Sequence, residues 1–188
     1  MRKHEKMTTA LLLVDIQNDY FPGGAMEVVG AAAAADQAAQ LLSAFRQRGR
    51  PVVHIQHIAT RVGATFFLPN TVGAEIHESV RPNAGEPIFQ KHFPNSFRET
   101  PLLEHLRSRG ISRLAIAGMM THMCIDSTTR AGADLGFACS LAHDACAARD
   151  LSFDGSRVTA ATVQIAYLGA LDGLFAKVLS ADDMCKEP

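Results

Sequence analysis

Ala10-Leu11-Leu12-Leu13-Val14 is apolar at five successive positions and stops abruptly at Asp15. A strand with one wet face alternates apolar and polar residues, so an unbroken run belongs inside a sheet covered on both faces. Leu114–Ala117, bounded by Gly118, repeats the pattern, and Pro51–Gln56, Ile88–Gln90, Ala138–Ala142 and Lys177–Leu179 read as four further strands. The intervals read as helices. An alanine-rich stretch runs from about Gly30 to Gln47 and is stopped by Gly49. Pro101–Arg109 follows a Thr100 cap, with proline at its first position and Gly110 after its end. A third helix runs from Cys124 to Leu135, closed by Gly136, and a fourth from about Gly155 to Gly169. Six strands alternating with helices predict an α/β domain with a parallel sheet and right-handed crossovers.

With 188 residues the chain is expected to form a single domain, 1–188. A net charge of −1 gives no reason to expect nucleic acid or an anionic membrane as partner. The basic start, Met1-Arg2-Lys3-His4-Glu5-Lys6, leads into an apolar run too short for a signal-peptide core, which predicts a cytoplasmic protein. Cys124, Cys139, Cys146 and Cys185 form no CxxC pair and no metal-ligand spacing, and are expected to be reduced thiols.

Ligands of open α/β sheets bind beyond the carboxyl ends of the strands. Asp15 follows the first strand, Lys91 the third and Cys124 the fourth. Together they supply a proton acceptor, a cation and a nucleophile. Cys124 at a helix start is expected to be biased toward thiolate by the helix dipole and the unpaired N–H groups there. Singly, each has an ordinary structural use; three at strand ends favours catalysis.

Four segments carry a resemblance: Leu12-Leu13-Val14-Asp15-Ile16-Gln17-Asn18-Asp19-Tyr20-Phe21, Gln90-Lys91-His92, Gly118-Met119-Met120-Thr121-His122-Met123-Cys124 and Asp144-Ala145. In order and spacing, from about residue 10 to 181, the chain resembles the isochorismatase-like cysteine hydrolases, which include nicotinamidases, N-carbamoylsarcosine amidase and isochorismatases. The resemblance implies a three-layer α/β/α fold with sheet order 3-2-1-4-5-6. It implies an Asp15–Lys91–Cys124 triad, a cis peptide at Met119–Met120, and an oxyanion hole from the N–H groups of Met120 and Cys124. Hydrolysis of a small amide or carbamoyl compound through a thioester follows from it, as does a homo-oligomer, dimer or tetramer. That sheet order puts Lys91 two strands, roughly 10 Å, from the Asp15 strand. Both lysine length and a loop folded back over the sheet are expected to close the gap.

The sequence departs from the resemblance where nicotinamidases carry an Asp-x-His metal pair. Ile55-Gln56-His57-Ile58-Ala59 offers no carboxylate there, and a strand points His54 and His57 to opposite faces. No metal and no cofactor are therefore expected. Cys124 argues for acyl chemistry over the vinyl-ether cleavage of some isochorismatases, which needs an acid and no nucleophile; a catalytically idle binding member is the other alternative. Gln17, Phe21, Phe66, Phe97 and His122 are the substrate-pocket candidates, with Arg61 or Arg98 as anchors for a substrate carboxylate. The weakly patterned 57–86 stretch is a candidate lid, closing its own pocket or a neighbour's.

Overall fold

The computed structural model describes residues 8–187. The expectation placed on Met1–Lys6 lies outside them. Strands β1 (Thr8–Val14), β2 (Val52–His57), β3 (Ile88–Lys91), β4 (Ile111–Met119) and β5 (Ala138–Ala147) alternate with helices α1 (Ala31–Gln47), α2 (Leu102–Ser108) and α3 (Asp126–Asp134). A hairpin of β6 (Leu151–Phe153) and β7 (Ser156–Val158), helix α4 (Ala160–Leu171), strand β8 (Ala176–Leu179) and helix α5 (Ala181–Lys186) complete the order.

Six strands form one parallel sheet in the order β3-β2-β1-β4-β5-β8. This is the expected topology, with β8 in the sixth place. Leu11 and Leu13 pack into one apolar cluster with α1, while Ala10, Leu12 and Val14 enter another with Leu102, Leu106 and Ile125. Two covered faces are why β1 does not alternate.

Several elements differ from expectation, among them the helix drawn from Cys124, which begins as α3 only at Asp126. The helix drawn from Gly155 begins only at Ala160, behind Thr159, whose side chain accepts from the Thr162 N–H. Asp154 and Gly155, both at positive φ, instead turn the β6–β7 hairpin, the behaviour of an Asp-Gly pair between strands. The terminal helix α5 was not foreseen; Ser180 caps it by accepting from Asp183 N–H. Among the described residues, no helix is long and apolar enough to cross a membrane.

Candidate active site

At Asp15 the backbone leaves β1 in the left-handed region, with φ of 52°, and turns out of the sheet. Gly118 pairs with Val14 across β1 and β4, and a Cβ there would lie 1.9 Å from the Val14 carbonyl oxygen. Only glycine lets the two strands leave the sheet this close together. The chain then passes through a cis Met119–Met120 peptide, as expected, into a wide turn over Thr121–Ile125. Cys124 is the fourth residue of that turn, ahead of α3.

Lys91 closes β3 in register with His57 on β2. Its side chain crosses the end of β2, and Nζ lies 2.7 Å from Asp15 Oδ2, both side chains having no exposure. Lysine length spans the gap, and the loop after it also folds back over the sheet edge, as expected: Phe93 O faces Nζ and Ser96 N–H donates to Thr128 Oγ1 on α3. The ammonium also faces Phe93 O at 3.0 Å, His57 Nδ1 at 3.1 Å and Cys124 Sγ at 3.2 Å. Three N–H groups thus face four acceptors: three receive hydrogen bonds, and Asp15 is held by the ion pair, with no hydrogen-bond partner for either oxygen among the described residues.

Burial first, then the Asp15 carboxylate, pushes the Cys124 thiol above its ordinary value, against the pull of Lys91. The expected bias toward thiolate is therefore corrected. A dry site with a carboxylate beside the sulfur outweighs the helix end, and the resting group is a thiol. Burial works to lower Lys91, but the Asp15 carboxylate, with Cys124 as a further acceptor, prevails and its pKa is raised. His57 is lowered to about 4, mainly by burial and then by Lys91 and His92. It is neutral at pH 7 and accepts at Nδ1.

Sequence reasoning weighs His57 only as a metal ligand and misses its contact with Lys91. The signal was available: it ends β2 just as the triad residues mark the ends of their strands. Tyr20 was also missed, although it lies in the quoted motif. Its ring is buried 4.6 Å from Phe67, and its hydroxyl is raised mainly by burial, with Cys124 and Asp15 nearby adding to the shift.

The pocket candidates scatter. Gln17 is fully buried and its amide is spent on backbone: it donates to His57 O and Ala74 O and accepts from His57 N–H. It clamps the 57–76 loop. Asp19 assists, accepting from Ala25 and Phe67 N–H groups, and a Cβ on Gly73 would sit 2.1 Å from its Oδ1. Phe66 lies 6.1 Å from Tyr20, so it shares that aromatic wall. Phe21 stacks on His77 at 3.6 Å. Phe97 is placed elsewhere, stacked on Phe137 and beside Gly132, about two turns beyond Cys124. His122 is buried in the turn, edge-on to Tyr167, with Nδ1 unpaired among the described residues. Arg98 lies over the Phe93 ring and beside Glu99. A cavity of about 250 Å³ lined by Arg50, Arg113 and Lys177 contains none of the reactive groups.

Asp15, His57 and Cys124 are metal-ligating types, and their ligand atoms lie within 4.8 Å of one another. The ammonium of Lys91 is already hydrogen-bonded or ion-paired to all three.

The isochorismatase-domain family profile matches residues 9–183. An uncharacterized isochorismatase family protein of Bacillus subtilis, YddQ, is 48% identical over 180 residues, covering 96% of this chain and all of that one. A maleamate amidohydrolase of Pseudomonas putida is 31% identical over 143 residues, 68% of this chain and 67% of that one. The crystal structure of a proposed isochorismatase hydrolase from Oleispira antarctica superposes with a TM-score of 0.92 at 50% identity, covering 97% and 98% of the two chains.

Proposed function

The chain belongs to the isochorismatase family of hydrolases, and from that premise we propose that it cleaves a C–N bond of a small amide or carbamoyl compound through a thioester on Cys124, without a metal. The observation that carries this reading is the dry Asp15–Lys91–Cys124 cluster, in which a neutral thiol meets a carboxylate able to take its proton. Asp15 accepts the Sγ proton as Sγ adds to the substrate carbonyl carbon. The N–H groups of Met120 and Cys124 receive the oxyanion, and Lys91 balances the charge that moves between Asp15 and Cys124. Asp15 then passes its proton to the departing nitrogen as the C–N bond breaks. Water, deprotonated by Asp15, adds to the thioester; the acid leaves and Sγ regains its proton. Phe66, whose ring lies 6.1 Å from that of Tyr20, is assigned as an aromatic neighbour of the substrate.

The reading extends to a small-molecule substrate, a homo-oligomeric protein and a cytoplasmic setting, with no nucleic-acid or membrane partner. The test is ammonia or amine release from a panel of small amides, ureas and carbamoyl compounds, using wild type, Cys124→Ala and chelator-treated protein. Release that survives chelation and falls by at least ~10⁴-fold in the variant is expected. Turnover of a vinyl ether that persists in Cys124→Ala would instead identify acid-only chemistry, and a panel-wide absence of turnover with an unreactive Cys124 would favour the binding role.

A further inference from the structure

Four adjacent strands, β3-β2-β1-β4, deliver one group each at the same edge of the sheet: Lys91, His57, Asp15 and Cys124. The last three offer nitrogen, oxygen and sulfur ligand atoms within 4.8 Å of one another, the span of donors around a single ion. Nζ of Lys91 is 2.7 Å from the oxygen, 3.1 Å from the nitrogen and 3.2 Å from the sulfur, and Phe93 O faces it at 3.0 Å. We propose that Asp15, His57, Cys124 and the Phe93 carbonyl form a cation cage whose resident ion is the Lys91 ammonium, and that removing the ammonium turns the cage into a site for Zn²⁺ or Co²⁺.

Charge balance supports this. With the ammonium in place the dry cage holds one positive charge, one carboxylate, a neutral imidazole and a thiol, and sums to zero. A divalent ion ligated by the carboxylate, the neutral imidazole and a thiolate also sums to zero, the thiol proton leaving to solvent. Buried charges persist only when balanced in this way. A mixed O, N and S donor set suits zinc and cobalt. Ligand bonds of about 2.0–2.3 Å are shorter than the ammonium contacts, so the arms must close by about 0.5–1.1 Å, a movement that side chains can supply. In wild type a metal would lie against a buried ammonium, and that repulsion keeps it out. His57 acts through Lys91 as a positioning residue: its neutral Nδ1 holds one N–H of the ammonium and keeps the chain extended across β2. The proposal concerns cation binding and does not depend on which substrate is hydrolysed.

The experiment is a Co²⁺ titration of wild type, Lys91→Ala and the Lys91→Ala/His57→Ala double variant, reading metal content and the thiolate-to-cobalt charge-transfer absorption. Lys91→Ala is expected to bind about one Co²⁺ per chain with the thiolate band. Its affinity should exceed that of wild type by at least ~100-fold, and the double variant should lose ~10–100-fold. Cobalt bound without the thiolate band, equal binding by wild type, or no loss in the double variant would overturn the cage. Where Lys91→Ala does not fold, Lys91→Ser takes its place in the same Co²⁺ titration, with the same expected and overturning outcomes.

Discussion

Two ion clusters sit on opposite faces of β2, three residues apart, and they differ in how their hydrogen bonds add up. On one face, Arg46 grips Glu86 with Nε at 2.8 Å and Nη2 at 2.7 Å, while His54 and the Asn83 N–H add contacts to the same carboxylate at 3.0 and 2.9 Å. All four donors reach the Glu86 carboxylate, although His54 Nδ1 is buried without a partner among the described residues; part of the cluster is wet, and it ties α1 to β2 and to the loop before β3. On the other face, Lys91, Asp15, His57 and Cys124 are dry, and three ammonium protons face four acceptors. The first arrangement has satisfied every charge and can only stabilise. The second leaves a thiol held high beside a carboxylate that can receive its proton, and can react.

Asp15→Asn should give the largest effect within this comparison. Turnover should fall by ~10³-fold or more, because no base remains. Alkylation of Cys124 should nonetheless move to lower pH, since the carboxylate that opposes the thiolate is gone. Activity and thiolate fraction moving in opposite directions, measured on the same protein, would separate the base role of Asp15 from any role in holding a thiolate. An alkylation profile shifted to higher pH would show that the carboxylate stabilises the thiolate through Lys91.

Glu86→Gln should leave kcat and KM unchanged and cost about 1 kcal/mol in urea unfolding, the scale of a partly exposed ion pair with good geometry. A change in turnover would show that the two clusters are coupled through β2. Smaller still is the pH effect. Arg46 first, then the Asn83 N–H and His54, hold the Glu86 carboxyl down to about 2, against burial. A depressed carboxylate contributes its stability above its unfolded value, near 4.5, and loses it as pH falls toward 2. Stability of wild type and Glu86→Gln should therefore converge across that window. The outer cluster's acid response should leave the alkylation pH of Cys124, read above neutrality, untouched.

Much of this was legible in residue order. The unbroken apolar runs of β1 and β4 fixed a parallel sheet, because only a doubly covered strand can carry apolar groups on both faces. Asp15, Lys91 and Cys124 stood out because a polar group directly after such a run is placed at the edge where ligands bind. The Asp154-Gly155 turn was legible too, and the apolar stretch that follows it hid the hairpin behind a helical reading.

What the chain by itself determined, then, was the six strands of the parallel sheet and the groups at their ends, through local periodicity and glycine geometry at Gly118. The tertiary structure alone decided which groups meet. His57 enters the cluster only because β2 lies between β3 and β1, so that Lys91 must cross it. Gln17 is withdrawn from the pocket only because the 57–76 loop arrives with carbonyl groups that need a donor. The protonation state of Cys124 was likewise beyond the sequence. A helix start promises a lowered thiol, but burial and a neighbouring carboxylate, both products of packing, outweigh it.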